Sequence, residues 1–354
     1  MRRLGLLMLL AIAAMGGAAG WLDSQLSRPY RGHRPEQEFV DIPHGTSRWG
    51  VAGILSRNDV IRNRLAFAVF STWYFRKPLQ AGEYLFDEPV NSRQVFWKIA
   101  HGQIFVHILQ TPEGWTMYDI AHETAVRDIC SRDDFLTAAR DTSLISDLAP
   151  HATSLEGFLF PSTYQFTRRT DCGQTAATMV RQFRAVWATL DPRNSQNFPG
   201  GLTLAQVVIM ASLVERETPN ETERPLVAGV FFNRLRLGEP LQCDPTIQYA
   251  YQMAGDPVKE VRPVDLRVDS PYNTYRHRGL PPGPIANPGE ASLRAVLAPA
   301  VTDYMYFVAD GQGGHVFSRT LAEHNRNVAR LRRLLAAVDS PTPVRASKAK
   351  NAAH

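Results

Sequence analysis

The fifteen residues Leu204–Thr218, LAQVVIMASLVERET, are too apolar to lie on a protein surface, yet the run contains two carboxylates near its end. Leu204, Val208, Ala211 and Glu215 recur at spacings of four, three and four, which places them on one stripe of a 3.6-residue helix. Ile209, Met210 and Leu213 cover the opposite side, so the helix is apolar nearly all round and has to be enclosed by other elements. Thr203 and Gln206 have the spacing of a capping box at its start, and Thr218-Pro219-Asn220 stops it. Glu215 is then at the mouth of an apolar environment. Desolvation there disfavours the charged carboxylate and moves its pKa toward that of a general acid working near neutral pH. Glu217 is about 200° further round at roughly 100° per residue, so only one of the pair can enter a given cleft. Two solvated glutamates in a last helical turn are the plain alternative.

The next segment, TERPLVAGVFFNRLRLGEPLQCDPT, predicts a second helix with Thr222 as N-cap, Pro225 in its first turn and Gly238 closing it. A polar turn bearing Gln242, Asp244, Pro245 and Thr246 is expected after it. YNTYRHRGLPPGPIANPG follows from Tyr272 to Gly289. Rigid Pro- and Gly-rich loops carrying amides, hydroxyls and aromatic rings suit a sugar polymer, whose hydroxyls need hydrogen-bond partners. A connector without a ligand has the same composition.

These segments, with YFVADGQGGHVFSRTLAEHNRNV and the upstream EGFLFPSTY at Glu156–Tyr164, resemble the endolytic murein transglycosylases of the MltG (YceG-like) family from about Phe39 to Val328. The resemblance maps the family's catalytic glutamate onto Glu215, the first Glu of ASLVERET. It implies cleavage of the MurNAc–GlcNAc bond of peptidoglycan without water and without a cofactor. One carboxylic acid protonates the glycosidic oxygen, then takes the proton of the muramoyl 6-hydroxyl as a 1,6-anhydro sugar closes. Termination of nascent glycan strands and contact with the cell-wall synthesis machinery are implied as well. Asn233, Gln242, Asp244, Asn273 and Tyr275 are expected to line the glycan groove. Ser162 stands where the family commonly has an acid, and Cys243 where Ser or Thr is common, so neither is given a chemical role. Two other readings remain open: a muramidase-type hydrolase drawing a second carboxylate from Asp244 or Glu217, and a noncatalytic wall-binding scaffold.

Met1-Arg2-Arg3 precedes an uncharged run from Leu4 to Leu22, nineteen residues and near the lower limit for a membrane span. Positive charge before it keeps the N-terminus cytoplasmic and exports the remainder. The expectation is a single-pass anchor in the inner membrane over residues 1–22, with the catalytic part in the periplasm. Ala18-Ala19-Gly20 would serve as the site of a cleaved signal in the competing reading. A polar linker over 23–38 leads to a small module over 39–107, LysM-like by the family resemblance. A catalytic domain over 108–338 follows, and a basic Pro-, Ser- and Ala-containing tail over 339–354 is expected to be disordered. Helices and short strands mix without a regular repeat, so the fold class is α+β.

An exported chain permits disulfides, and its three cysteines leave at least one unpaired within a monomer. Cys130 and Cys172 lie in polar contexts and are expected to bridge, with Cys243 free; three reduced cysteines is the competing reading. The net charge of +5 forms no concentrated stripe and does not argue for nucleic acid. No metal site follows from His122-Glu123, because Val126 stands where a zinc-protease helix has its second histidine. Gly311-Gln312-Gly313-Gly314 predicts a hairpin turn, and His315 after it a hydrogen-bonded structural histidine.

Overall fold

The computed structural model describes residues 2–32, 39–74, 76–167, 170–191 and 198–338. The tail over 339–354 and the end of the expected linker, 33–38, lie outside them. Helices and short antiparallel strands are mixed, as an α+β chain requires. The chain divides into two compact units, Met1–Ile108 with Gln165–Thr170, and Leu109–Tyr164 with Asp171–His354.

The first unit begins with α1 (Arg2–Ser27), the one described helix long and apolar enough to cross a membrane. It runs five residues beyond Leu22, so Asp23–Ser27 belongs to its last turns and not to a tether. Then come β1 (Phe39–Ile42), α2 (Arg48–Arg57), α3 (Arg64–Trp73), β2 (Gly82–Leu85) and α4 (Ser92–Ala100). β1 and β2 pair antiparallel with Phe39 opposite Leu85 and Ile42 opposite Gly82. Ser47, Asn63 and Asn91 cap α2, α3 and α4 through their side chains. Phe67, Phe96 and Ile99 meet Val40, Ile42 and Tyr84 in the core.

The second unit carries the sequence motifs. β3 (His107–Gln110) pairs with β4 (Thr163–Phe166). α5 (Met117–Val126), α6 (Arg132–Ala138) and α7 (Cys172–Leu190) precede α8 (Leu204–Glu217), whose residues Val207–Val214 are all buried. The capping box of Thr203 and Gln206 is formed. α9 (Arg224–Leu237), α10 (Asp244–Met253) and α11 (Glu290–Leu297) pack on α8, which explains why it needs an apolar surface on every side. β5 (Tyr306–Ala309) and β6 (His315–Ser318) form a hairpin through Gly311 and Gly313, both at positive φ, and α12 (Leu321–Val338) packs on it.

Two local expectations are corrected. α9 starts at Arg224 with Glu223 as its cap position, one residue beyond Thr222, because Asn220 and not the helix end engages the Thr222 hydroxyl. The polar turn over Gln242–Thr246 is instead the opening of α10, with Cys243 at the cap and Pro245 in the first turn. Gly238 closes α9 in the left-handed region as expected.

Cys130 and Cys172 are bridged with their Cα atoms 5.7 Å apart, and Cys243 is free and buried. The bridge joins residues 42 apart in sequence. Closing a loop of that length removes unfolded-state entropy worth about 4 kcal/mol in the chain-entropy model. Cys130→Ser is expected to lower the unfolding midpoint to that extent, read by thermal denaturation with and without a reductant. A reductant-insensitive midpoint in the parent chain would count against it.

Candidate active site

The last turn of α8 turns two carboxylates into different surroundings. Glu215 is buried at the side chain, 5% exposed, where the Arg224 guanidinium donates to its Oε1 at 3.0 Å and the Gly289 N–H to its Oε2 at 2.9 Å. Arg224 is itself 5% exposed at the side chain and reaches Glu113 at 3.4 Å. Burial raises the Glu215 carboxyl above the usual range, and the Gly289 N–H and the Arg224 charge pull it back. A buried cation of this kind needs its anion. Glu215 therefore serves as the counter-ion that ties the end of α8 to the first residue of α9 and to the residue before α11.

Glu217 faces the start of α10. Desolvation pushes its carboxyl up to about 7, with the Cys243 thiol as a hydrogen-bond partner, Asp244 raising it further, and His315 and Arg234 lowering it. The plain alternative of two solvated glutamates in a last helical turn does not describe these surroundings: the Glu215 side chain is 5% exposed and Glu217 is half-buried. Cys243 is fully buried and its thiol is held well above the usual range by that burial, so it is a neutral donor to Glu217 and no thiolate. Asp244 is exposed and accepts a hydrogen bond from the Tyr275 hydroxyl. Gln242 precedes the helix at φ 52, a left-handed conformation unusual for a residue with a side chain, and its Oε1 accepts from Arg234 Nη1 at 3.1 Å. Arg234 also donates to the carbonyls of Pro240, Leu241 and Met305, which fixes the turn that brings Cys243 and Asp244 over the end of α8.

Three of the five expected groove residues, Gln242, Asp244 and Tyr275, thus gather near Glu217 and not near Glu215. The other two are elsewhere. Asn273 is fully buried, donating to the carbonyls of Leu266 and Val268 and accepting from the Tyr275 N–H, so it shapes the loop and has no face for a ligand. Asn233 donates to the carbonyls of Thr302 and Tyr304 and borders a cavity of about 1140 Å³. That cavity opens along the first half of α8, with Gln206, Ile209, Phe232 and Pro282 in its walls, and neither Glu215 nor Glu217 lines it.

His315 is the structural histidine expected: Nδ1 is 2.7 Å from Glu223 Oε2, and its N–H donates to Oε1 at 3.0 Å. Among the described residues no cluster of His, Cys, Asp and Glu is suited to a metal. Sequence reasoning missed Glu156 of EGFLFPSTY. It is 1% exposed and accepts from the Met117 N–H, from Asn287 Nδ2 and from the Tyr249 hydroxyl. Gly157 beside it, at φ 85, lies where a Cβ would come within 2.5 Å of Pro284 and 2.8 Å of Val208, so the motif, the Pro-rich loop and α8 pack backbone-close. The signal was a charged residue leading an apolar run, Glu156 before Gly-Phe-Leu-Phe.

The chain belongs to the YceG-like family, whose model matches residues 40–330. It is 34% identical over 303 residues to the endolytic murein transglycosylase of Bacillus subtilis, covering 81% of this chain and 82% of that one. To the protein of that name from Streptococcus pneumoniae it is 28% identical over 359 residues, 91% of this chain and 64% of the other. The crystal structure of a putative YceG-like protein from Listeria monocytogenes superposes with a TM-score of 0.54 at 31% identity, covering 81% of this chain and 98% of that one.

Proposed function

We propose that this chain is a peptidoglycan lytic transglycosylase, and that Glu217 is its acid, with Glu215 the ion-paired group that positions the helix end. The names of the two relatives support the activity. The single observation that carries the assignment of the acid is the contrast in partners: Arg224 locks Glu215, whereas the carboxyl of Glu217 is held at about 7 among Cys243, Asp244 and Arg234. At neutral pH Glu217 is partly protonated and can give its proton to a glycosidic oxygen. The carboxylate so formed then accepts the 6-hydroxyl proton of the muramoyl residue while that oxygen bonds to the anomeric carbon. The bond to the leaving GlcNAc breaks, the proton count is restored, and a 1,6-anhydro end results. Gln242, Asp244 and Tyr275 are the polar groups placed to meet sugar hydroxyls.

The test is mass spectrometry of products from purified peptidoglycan. Anhydro ends support transglycosylation; reducing ends would replace this reading with hydrolysis, for which Asp244 is the neighbouring carboxylate. Because the acid must be protonated, the rate is expected to fall as pH rises through about 7. Asp244→Asn removes a charge that raises the Glu217 pKa and is expected to move that fall to lower pH. Cys243→Ala removes a donor that lowers it and is expected to move the fall to higher pH, while Cys243→Ser keeps the donor and the profile. Shifts of the same sign in the two variants would remove Glu217 from the profile.

We read α1 as a retained anchor with the second unit on the exported side, from the basic residues preceding its apolar run and the Cys130–Cys172 bridge. The strand–helix–helix–strand order of β1, α2, α3 and β2 supports a LysM-like first module that spaces or grips glycan. Recruitment by the wall-synthesis machinery and termination of nascent strands belong to the same proposal.

A further inference from the structure

The first unit carries an apolar face that its own core does not need. Leu65, Val69 and Trp73 recur at spacings of four on α3 and are 52%, 41% and 77% exposed. Tyr74 beside them is 42% exposed, and Trp49 of α2 is 49% exposed. They are contiguous: Trp49, Val69, Thr72 and Trp73 line one shallow groove, and Trp73 also lines the next. Isolated exposed apolar residues need no explanation, but a connected aromatic set on one face does.

The second groove says what covers it. Its other wall is α1, contributing Met15, Ala18, Ala19 and Leu22, against Phe70, Trp73 and Tyr74. Leu26 of α1 is 2% exposed and Asp23 pairs with Arg93 at 2.5 Å, so α1 is fixed to this unit and does not leave it as a free stalk. Met15 is seven residues before Leu22, about 10 Å along the helix at 1.5 Å per residue. The uncharged run Leu4–Leu22 spans about 28 Å at the same rise, close to the roughly 30 Å of a hydrocarbon core. The end of α3 is thus alongside the part of α1 that an anchored chain places in the bilayer. Charge agrees: residues 48–77 contain six Arg or Lys and one acid, Asp59, and the Arg64 guanidinium lies 5.9 Å from the centre of the Trp49 ring.

We propose that the first unit lies on the membrane it is anchored to, with Trp49, Leu65, Val69, Trp73 and Tyr74 entering the interface of an anionic phospholipid leaflet. Trp and Tyr favour that depth, and basic side chains at its edge are attracted by acidic headgroups. α1 is then not a flexible tether but one of two fixed attachments, which sets the height and tilt of this unit over the bilayer. The proposal rests on the reading of α1 as a retained anchor.

The test uses the full chain reconstituted in vesicles of phosphatidylcholine and phosphatidylglycerol carrying lipids brominated near the headgroup end of the acyl chains. Trp73→Phe and Trp49→Phe are compared with the parent, both side chains being exposed enough to replace without disturbing the core. The fraction of tryptophan emission quenched is expected to fall by a quarter or more in Trp73→Phe, and the parent's quenching to weaken when phosphatidylglycerol is omitted. Extraction with alkaline carbonate is run in parallel. Release of the parent chain from the vesicles would overturn the anchor reading itself. Retention with equal fractional quenching in parent and both variants would overturn the docking while leaving the anchor in place. Concentration-dependent cross-linking through this face, with no quenching at Trp73, would overturn it in favour of a second copy of the chain.

Discussion

Glu217→Gln is expected to reduce strand cleavage by about a thousandfold, within the range that general acid–base groups contribute, while the unfolding midpoint stays the same or rises. The amide keeps the size of the side chain, loses the transferable proton, and relieves the protein of a carboxyl whose folded pKa burial has raised to about 7. Glu215→Gln is expected to do something different. It keeps one amide oxygen as an acceptor but removes the charge, so Arg224, 5% exposed at the side chain and with its Nε already unpartnered, is left with the 3.4 Å contact to Glu113 as its ion pair. Removing one partner of a buried ion pair costs about 3 kcal/mol, so this variant should unfold at lower denaturant while the molecules that remain folded keep turnover within about tenfold. Denaturation midpoints and initial rates on purified peptidoglycan separate the two cases. A stable, inactive Glu215→Gln beside an active Glu217→Gln would return the acid to the stripe position that the helical periodicity selects.

What the sequence made legible is what short-range rules decide. The limits of α8, its capping box, the left-handed Gly238 and the hairpin at Gly311–Gly314 follow from residues within a few positions of one another. The pairing of Cys130 with Cys172 was legible only as one of several options, because a cysteine count does not specify partners. The environment of Glu217 was not legible. A helical wheel gives a direction around α8, and it separated the two glutamates correctly, but what fills each direction comes from chain far away. The Arg234 side chain gathers the carbonyls of Pro240 and Leu241, Gln242 adopts a left-handed backbone, and α10 begins where a polar turn was expected. Those long-range events place Cys243 and Asp244 beside Glu217. Asn273 failed as a groove residue for a related reason: an amide in a Pro-rich loop looks the same in sequence whether it meets a ligand or, as here, the carbonyls of Leu266 and Val268.

Glu156→Ala is expected to destabilise the second unit by about 4 kcal/mol, because it strands the Met117 N–H, Asn287 Nδ2 and the Tyr249 hydroxyl in a buried site at roughly 1–3 kcal/mol each, less whatever water recovers. Glu156→Gln keeps a carbonyl for two of the donors and should cost much less. The two variants also differ from the parent in pH dependence, and the sign follows from the direction of the shift. Burial raises the folded pKa from 4.5 to about 8, against the hydrogen bonds from Met117, Tyr249 and Asn287 that lower it. The folded state therefore holds a proton that the unfolded chain releases between these values. Its contribution to stability is complete below about 4.5 and is lost as pH rises toward 8. Glu217 acts in the same sense up to about 7, so the comparison belongs in a Glu217→Gln background. There, denaturant midpoints at pH 5.5, 7 and 8.5 should decline with pH when Glu156 is present and flatten in Glu156→Gln. Midpoints that fall equally in both would mean that Glu156 stays ionised in the fold, held by its three donors and the N-terminus of α5, and that the decline arises elsewhere.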